Sequence, residues 1–350
     1  MKKIILGISL LISTAVAVQA QFNADKDAYL TQPLSSEKIS NVLVETSGGS
    51  ITVASVSAGQ ERIEMFVRPN NWNGGLLNLS KDELKQRLEE NYTVSIKAEG
   101  GKLMAIAKQK KDINWKKSVS ISFKVYVAQN VSTDLHTSGG SITLQSIKGK
   151  QDFSTSGGSL HIDDVSGNIH GNTSGGSIHV SNSSDNIEIS TSGGSVEAKN
   201  CKGDISLETS GGSLKLFDLS GNISANTSGG SITAGNIKGE LKTSTSGGSV
   251  KLDGIAGSVK ASTSGGSMNV NITELGSYVQ LDNSGGNISV DLPAGKGLNL
   301  DVRGNKINYN NLNNFSGDTA DDDYIKGKIN GGGPEIKIRA SSGKVQLNFK

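Results

Sequence analysis

Thr191-Ser192-Gly193-Gly194-Ser195-Val196 opens an 18-residue unit ending at Glu208, and Thr209-Ser210-Gly211-Gly212-Ser213-Leu214 opens the next. The phrase also opens at Thr137, Thr155, Thr173, Thr227, Thr245 and Thr263, each 18 residues after the last. An outlying copy opens at Thr46 and a degraded one, Asn-Ser-Gly-Gly-Asn-Ile, at Asn283. A strict period of this length is the mark of a solenoid, each repeat one turn stacked on its neighbour.

Counted from the threonine as zero, positions five and seven are apolar and the residue between them is polar, as in Val196-Glu197-Ala198 and Leu214-Lys215-Leu216. That alternation is a strand with one buried face. It recurs nine residues on, in Ile205-Ser206-Leu207 and Ile223-Ser224-Ala225. The unit is therefore two halves, each a short strand and a corner. The first corner is Ser-Gly-Gly, and the second is a glycine and a polar residue, as in Gly203-Asp204 and Gly221-Asn222. Glycine at both corners predicts positive φ and close stacking of turns.

No run in the array has a helical period, and a new strand every nine residues leaves no room for a crossover helix. The expected fold is all-β: a parallel β-solenoid, a two-sheet β-helix or roll of about 18 residues per turn. A small capping insert with one short helix completes it. Eight turns at the usual strand spacing make a rod of roughly 40 Å before the caps. A left-handed hexapeptide helix would need apolar residues every six positions, which the nine-residue half-period excludes. One turn cannot stand alone, so turns must share hydrogen bonds and a continuous core, and the ends need caps.

Residues 1–20 read as a secretory signal peptide: Lys2 and Lys3, an apolar stretch, then Val18-Gln19-Ala20 as the cleavage site. No cysteine follows, which argues against a lipid anchor, and no later segment is long and apolar enough to span a bilayer as a helix. The expected address is the periplasm, cell surface or medium. The 35 basic and 33 acidic residues give the chain +2, and removing Lys2 and Lys3 leaves 33 against 33. Neither that balance nor an aromatic content of 4% suits nucleic acid or an anionic membrane. The lone Cys201 shares its column with Ile147, Val165, Leu219, Ile237 and Ile255, and reads as a buried packing residue.

In chain order, residues 21–38 read as a loose lead-in. Residues 39–136 hold a first repeat-like pair of strands and the capping insert. There Ser80-Lys81-Asp82-Glu83 is a capping box, and Leu84 and Leu88 are an i, i+4 apolar pair, so a helix is predicted near 80–90, laid across the end of the rod. Lys108, Lys110, Lys111, Lys116 and Lys117 flank Trp115 as a solvated basic turn. The strand at 119–127 leads into the regular repeats, 137–282. Residues 283–350 read as irregular closing turns and a cap, with strands at 325–329, 336–338 and 345–349.

The Thr-Ser-Gly-Gly-Ser-Ile phrases, the 119–127 strand, and the closing Asn330-Gly331-Gly332-Gly333 and Ser341-Ser342-Gly343 together resemble the bacterial putative-adhesin β-strand-repeat family of unknown function. That family is similar in style to the head domains of putative autotransporter adhesins. The resemblance spans nearly the whole mature chain and implies a secreted or cell-envelope β-solenoid. It carries no functional residues across.

Catalytic constellations are not apparent. Polysaccharide-cutting β-helices need paired carboxylates at one place on the rod, and Asp163-Asp164 is the kind of pair any polar surface supplies. The corners carry serine where a calcium roll needs aspartate, and Asp321-Asp322-Asp323 lacks the alternating spacing of a calcium loop. His161 and His179 share position six and should stack, but His170 falls on the opposite sheet, which leaves zinc short of ligands. The threonine column has inward parity, as a packing ladder and not an ice-binding face. No catalytic, cofactor or metal residue is assigned. The expected function is that of an exported, non-enzymatic adhesin or envelope scaffold with a surface, glycan or protein ligand. Its strand edges would permit end-to-end or edge self-association. The alternatives are a glycan-processing enzyme with a site near Trp72, Trp115 or the Asp321 loop, and a periplasmic partner of an envelope stress system.

Overall fold

The computed structural model describes residues 27–34, 38–70, 79–111 and 117–350. The proposed signal peptide, Trp72 and Trp115 lie outside them. The 18-residue unit is one solenoid turn: on one sheet Leu160 stands beside Ile178, then Val196, then Leu214, and on the other Ile187 stands beside Ile205, then Ile223. Every pairing in this array is parallel, as a strand returning to the same sheet once per turn requires.

The alternating residues point as their parity dictates. Val196, Ala198, Ile205 and Leu207 are buried, and so is Cys201. The threonines from Thr137 to Thr263 are 3–6% exposed, inside the corner. Size is balanced between turns: the Phe153 ring occupies the space beside Gly171, where an added Cβ would lie 2.2 Å from it.

The two corners use glycine for different reasons, and only one matches the expected positive φ. The Ser-Gly-Gly glycines have no left-handed φ. The second of each pair is required by space, since a Cβ on Gly212 would stand 2.0 Å from the Gly194 carbonyl oxygen of the turn below. Left-handed φ belongs to the second corner, at Gly203 (+118°) and Gly221 (+118°). It extends to the residue that opens that corner: Asp164, Asn182, Asn200, Asp218 and Asn236 lie between +52° and +57°. Asn and Asp tolerate that region because their side chains bond locally. Here they also bond between turns, Asn200 Nδ2 donating to Asn182 Oδ1 at 2.6 Å and Asn236 Nδ2 to Asp218 Oδ1 at 3.0 Å. In Ile232–Thr245, Val250–Thr263 and Met268–Asn283 the strand runs unbroken through this corner.

Both ends depart from a simple parallel stack. At the start, Tyr92–Glu99 and Lys102–Gln109 form an antiparallel hairpin, Arg62–Pro69 lies antiparallel to Val119–Val127, and Leu30–Pro33 lies antiparallel to Arg62–Pro69. Leu30–Pro33 is thus a strand and not part of a loose lead-in. Val119–Val127 leads into the array in sequence but is not adjacent to it in space, because Ile51–Ser55 lies between it and Ile142–Gln145. At the far end, Glu335–Ala340 enters between the end of Met268–Asn283 and Leu298–Arg303, and Lys344–Phe349 between Ile288–Leu292 and Lys306–Tyr309. Tyr324–Ile329, expected as a closing turn, runs antiparallel to both Leu298–Arg303 and Phe315–Ala320. Short connections return a chain antiparallel, whereas a parallel return needs a longer path.

The helix is Lys81–Asn91, with both halves of its capping box formed: Ser80 Oγ accepts from Glu83 N at 3.2 Å and the Glu83 carboxylate accepts from Ser80 N at 2.8 Å. Leu84 and Leu88 join the core beside Tyr92–Glu99 and Arg62–Pro69 at the start of the stack. Among the described residues no helix is long and apolar enough to cross a membrane.

Candidate functional site: a polar groove along the first corner

At the first corner each turn contributes three consecutive residues: an outward polar residue, the inward threonine, and an outward serine. Stacked, they flank a groove of about 650 Å³ that runs along the rod. One wall is Asn172, Ser190, Glu208, Asn226 and Ser244; the other is Ser174, Ser192, Ser210, Ser228 and Ser246. Thr173, Thr191, Thr209 and Thr227 line it between the walls. Parallel in-register stacking makes the lining repeat once per turn, every 4.7–4.9 Å or so.

The threonines hold the groove in shape. Thr209 Oγ1 donates to the Gly194 carbonyl of the turn below at 2.7 Å and accepts from Gly212 N of its own turn at 3.2 Å. The same two bonds recur at Thr155, Thr173, Thr191, Thr227, Thr245 and Thr263. At the degraded copy, Asn283 serves both roles: its Nδ2 donates to Gly266 O at 2.8 Å and its Oδ1 accepts from Gly286 N at 2.9 Å. The groove walls are neutral apart from Glu208, and contain neither a cation nor an aromatic ring. The signal for them was in the sequence, in the columns either side of the threonine, but parity alone does not tell a flat face from a re-entrant one.

Among the described residues, the others singled out by sequence do not converge on a site. Among the described residues no three His, Cys, Asp or Glu side chains are grouped to hold a metal ion. Asp163 Oδ1 accepts from Ser181 Oγ and Asn182 Nδ2, both at 2.7 Å, so it belongs to the second corner. Asp321, Asp322 and Asp323 form an exposed turn before Tyr324–Ile329. Lys108 pairs with Glu45 at 3.0 Å, Lys110 Nζ donates to Glu89 O at 2.5 Å, and Lys117 pairs with Glu90 at 3.5 Å, while Lys116, like Trp115, lies outside the described residues. Burial pushes the Cys201 thiol up, against reactivity. His161 and His179 stack as the register requires, centroids 5.4 Å apart and planes 2° from parallel. His170 is on the other sheet, 3.5 Å from Glu188. One pair escaped the sequence reading: the Tyr278 hydroxyl donates to Glu240 Oε1 at 2.5 Å across two turns, and burial followed by that bond pushes its pKa up to about 12.

These features define a repeat-built parallel β-solenoid with a polar groove on one corner. The chain belongs to the Toastrack DUF4097 family, whose model matches residues 102–348. Among solved structures it is similar to a putative cell adhesion protein from Clostridium sporogenes ATCC 15579, at 10% identity over 92% of this chain and 98% of that one, with a TM-score of 0.18. It is also similar to a putative adhesin from Bacteroides fragilis NCTC 9343, at 12% identity over 91% and 96%, TM-score 0.28. A third, a putative adhesin from Parabacteroides merdae ATCC 43184, shares 11% identity over 91% and 95%, TM-score 0.25. No curated protein matches the chain.

Proposed function

We propose that the protein is an exported β-solenoid that binds its ligand without converting it, as an adhesin or cell-envelope scaffold. Its groove takes a linear, uncharged, hydroxyl-rich polymer, a neutral glycan being the fitting class. The groove carries this reading: hydroxyls and amides recur at the same height on five successive turns. Such groups both donate and accept hydrogen bonds, as sugar hydroxyls do. The absence of lysine and arginine from the walls, with Glu208 in the middle, disfavours phosphate, sulfate or uronate polymers. An extended peptide repeats its side chains every 6.5–7 Å or so on one face, out of step with the turns. The signal-like residues 1–20 support export.

The purified mature chain should be retained by immobilised neutral polysaccharides and not by anionic ones, without releasing reducing ends. Ser210→Trp, which fills the groove, should abolish retention while leaving the circular dichroism spectrum unchanged. Undiminished retention in that variant, or a preference for anionic polymers, would overturn the groove assignment. Cell fractionation should find the protein in the envelope or medium, and gene deletion should reduce attachment or aggregation.

A further inference from the structure

All four histidines of the chain fall between residues 136 and 179, at the start of the regular array. Two of them meet. His161 and His179 stand side by side on the parallel strands Leu160–Asp163 and Ile178–Ser181, which pair over four residues only. Their surroundings are unequal. The strand before His161 offers the uncharged Thr143, and Asp163, two residues along from His161, is already engaged by Ser181 and Asn182. The strand after His179 offers Glu197, 3.8 Å from His179 Nδ1, with Lys199 on the same strand and Lys215 one strand further.

We propose that this pair is an acid-sensitive joint in the solenoid: the stack accommodates one proton, and a second drives the rings apart and loosens the two short strands that carry them. His179 has the Glu197 carboxylate 3.8 Å from its Nδ1, whereas the strand on the other side of His161 offers only Thr143. A second proton on the pair, at His161, lies parallel to the His179 ring 5.4 Å away. Burial and that neighbour both hold His161 below the ordinary imidazole value. The unfolded chain takes the same proton at the ordinary value. The stability contributed by the pair is therefore complete above that value and is lost as the pH falls below it. Ile178–Ser181 follows directly on the corner that begins the groove at Asn172, so the loosening occurs at one end of the groove.

The test is an NMR titration of the histidine ring protons in the mature protein from pH 8 to 5, together with amide exchange corrected for its intrinsic pH dependence. His161 should titrate below the ordinary imidazole value, and His179→Gln should move it back up. Exchange at 160–163 and 178–181 should rise about threefold or more between pH 7 and 5, the weight of two like charges at this distance in water. That rise should vanish in His161→Gln. The proposal is overturned if His161 titrates at or above the ordinary imidazole value, if His179→Gln leaves it unmoved, or if the exchange rise persists in His161→Gln.

Discussion

At the residue scale, the threonine hydroxyl is the joint between turns. Each satisfies a carbonyl of the turn below and an amide of its own turn, both at a half-buried corner. Thr209→Val keeps the volume but leaves Gly194 O and Gly212 N unpaired, and should lower unfolding stability by about 1–3 kcal/mol in urea titrations. Thr209→Ser should lose less, since the hydroxyl remains. The two glycines of one corner should behave differently. Gly212→Ala places a Cβ 2.0 Å from backbone and should prevent proper stacking, whereas at Gly211 the nearest atom is 3.5 Å away and alanine should be tolerated. Tyr278 supplies an alkaline test. Its folded pKa of about 12 lies above the unfolded value near 10. Its contribution is thus present below about 10 and lost as pH rises through about 12, and Tyr278→Phe should remove that alkaline loss from melting curves.

At the element scale, each strand divides cleanly between core and solvent, because inward and outward residues alternate along it. Ile205 is buried at 3% exposure and its neighbour Ser206 is half-exposed on the outer face. Ile205→Asp should abolish cooperative unfolding, since no water reaches the charge, while Ser206→Asp should shift the midpoint little. Thermal melts of the two variants measure this directly, and equal damage would contradict the register. The alternation that sets this register was legible residue by residue. The reason for the glycines was not. Spacing located both corners, but a close approach between turns and a left-handed φ leave the same residue in the sequence, and only the backbone path separates them.

For the whole molecule, the array is one-dimensional: from Thr137 to Thr263 each turn pairs its backbone only with the turns on either side, so turns should be removable in whole units. Deleting residues 192–209 joins Thr191 to Ser210 in register and should give a folded rod about 5 Å shorter by small-angle scattering. Deleting residues 192–200 exchanges the two half-turns and should unfold it. The ends do not share this modularity. The outlying turn at 41–55 sits inboard of the strands at 102–109 and 119–127, and the final turn at 335–349 sits inboard of 298–309. Each is clasped by an insert that follows or precedes it in sequence.

The sequence by itself determined the turn length, the inward columns, the helix with its capping box, and the stacking of His161 on His179. All of these are local or strictly periodic, so sterics, alternation and one repeating translation suffice to specify them. Only the tertiary structure decided the order of strands at the two ends, the antiparallel returns there, the Tyr278–Glu240 bond and the groove. These depend on where non-repeating segments find unpaired edges and on how sharply a corner folds inward. Both are set by long-range pairing and the shape of the backbone, which no periodic pattern encodes.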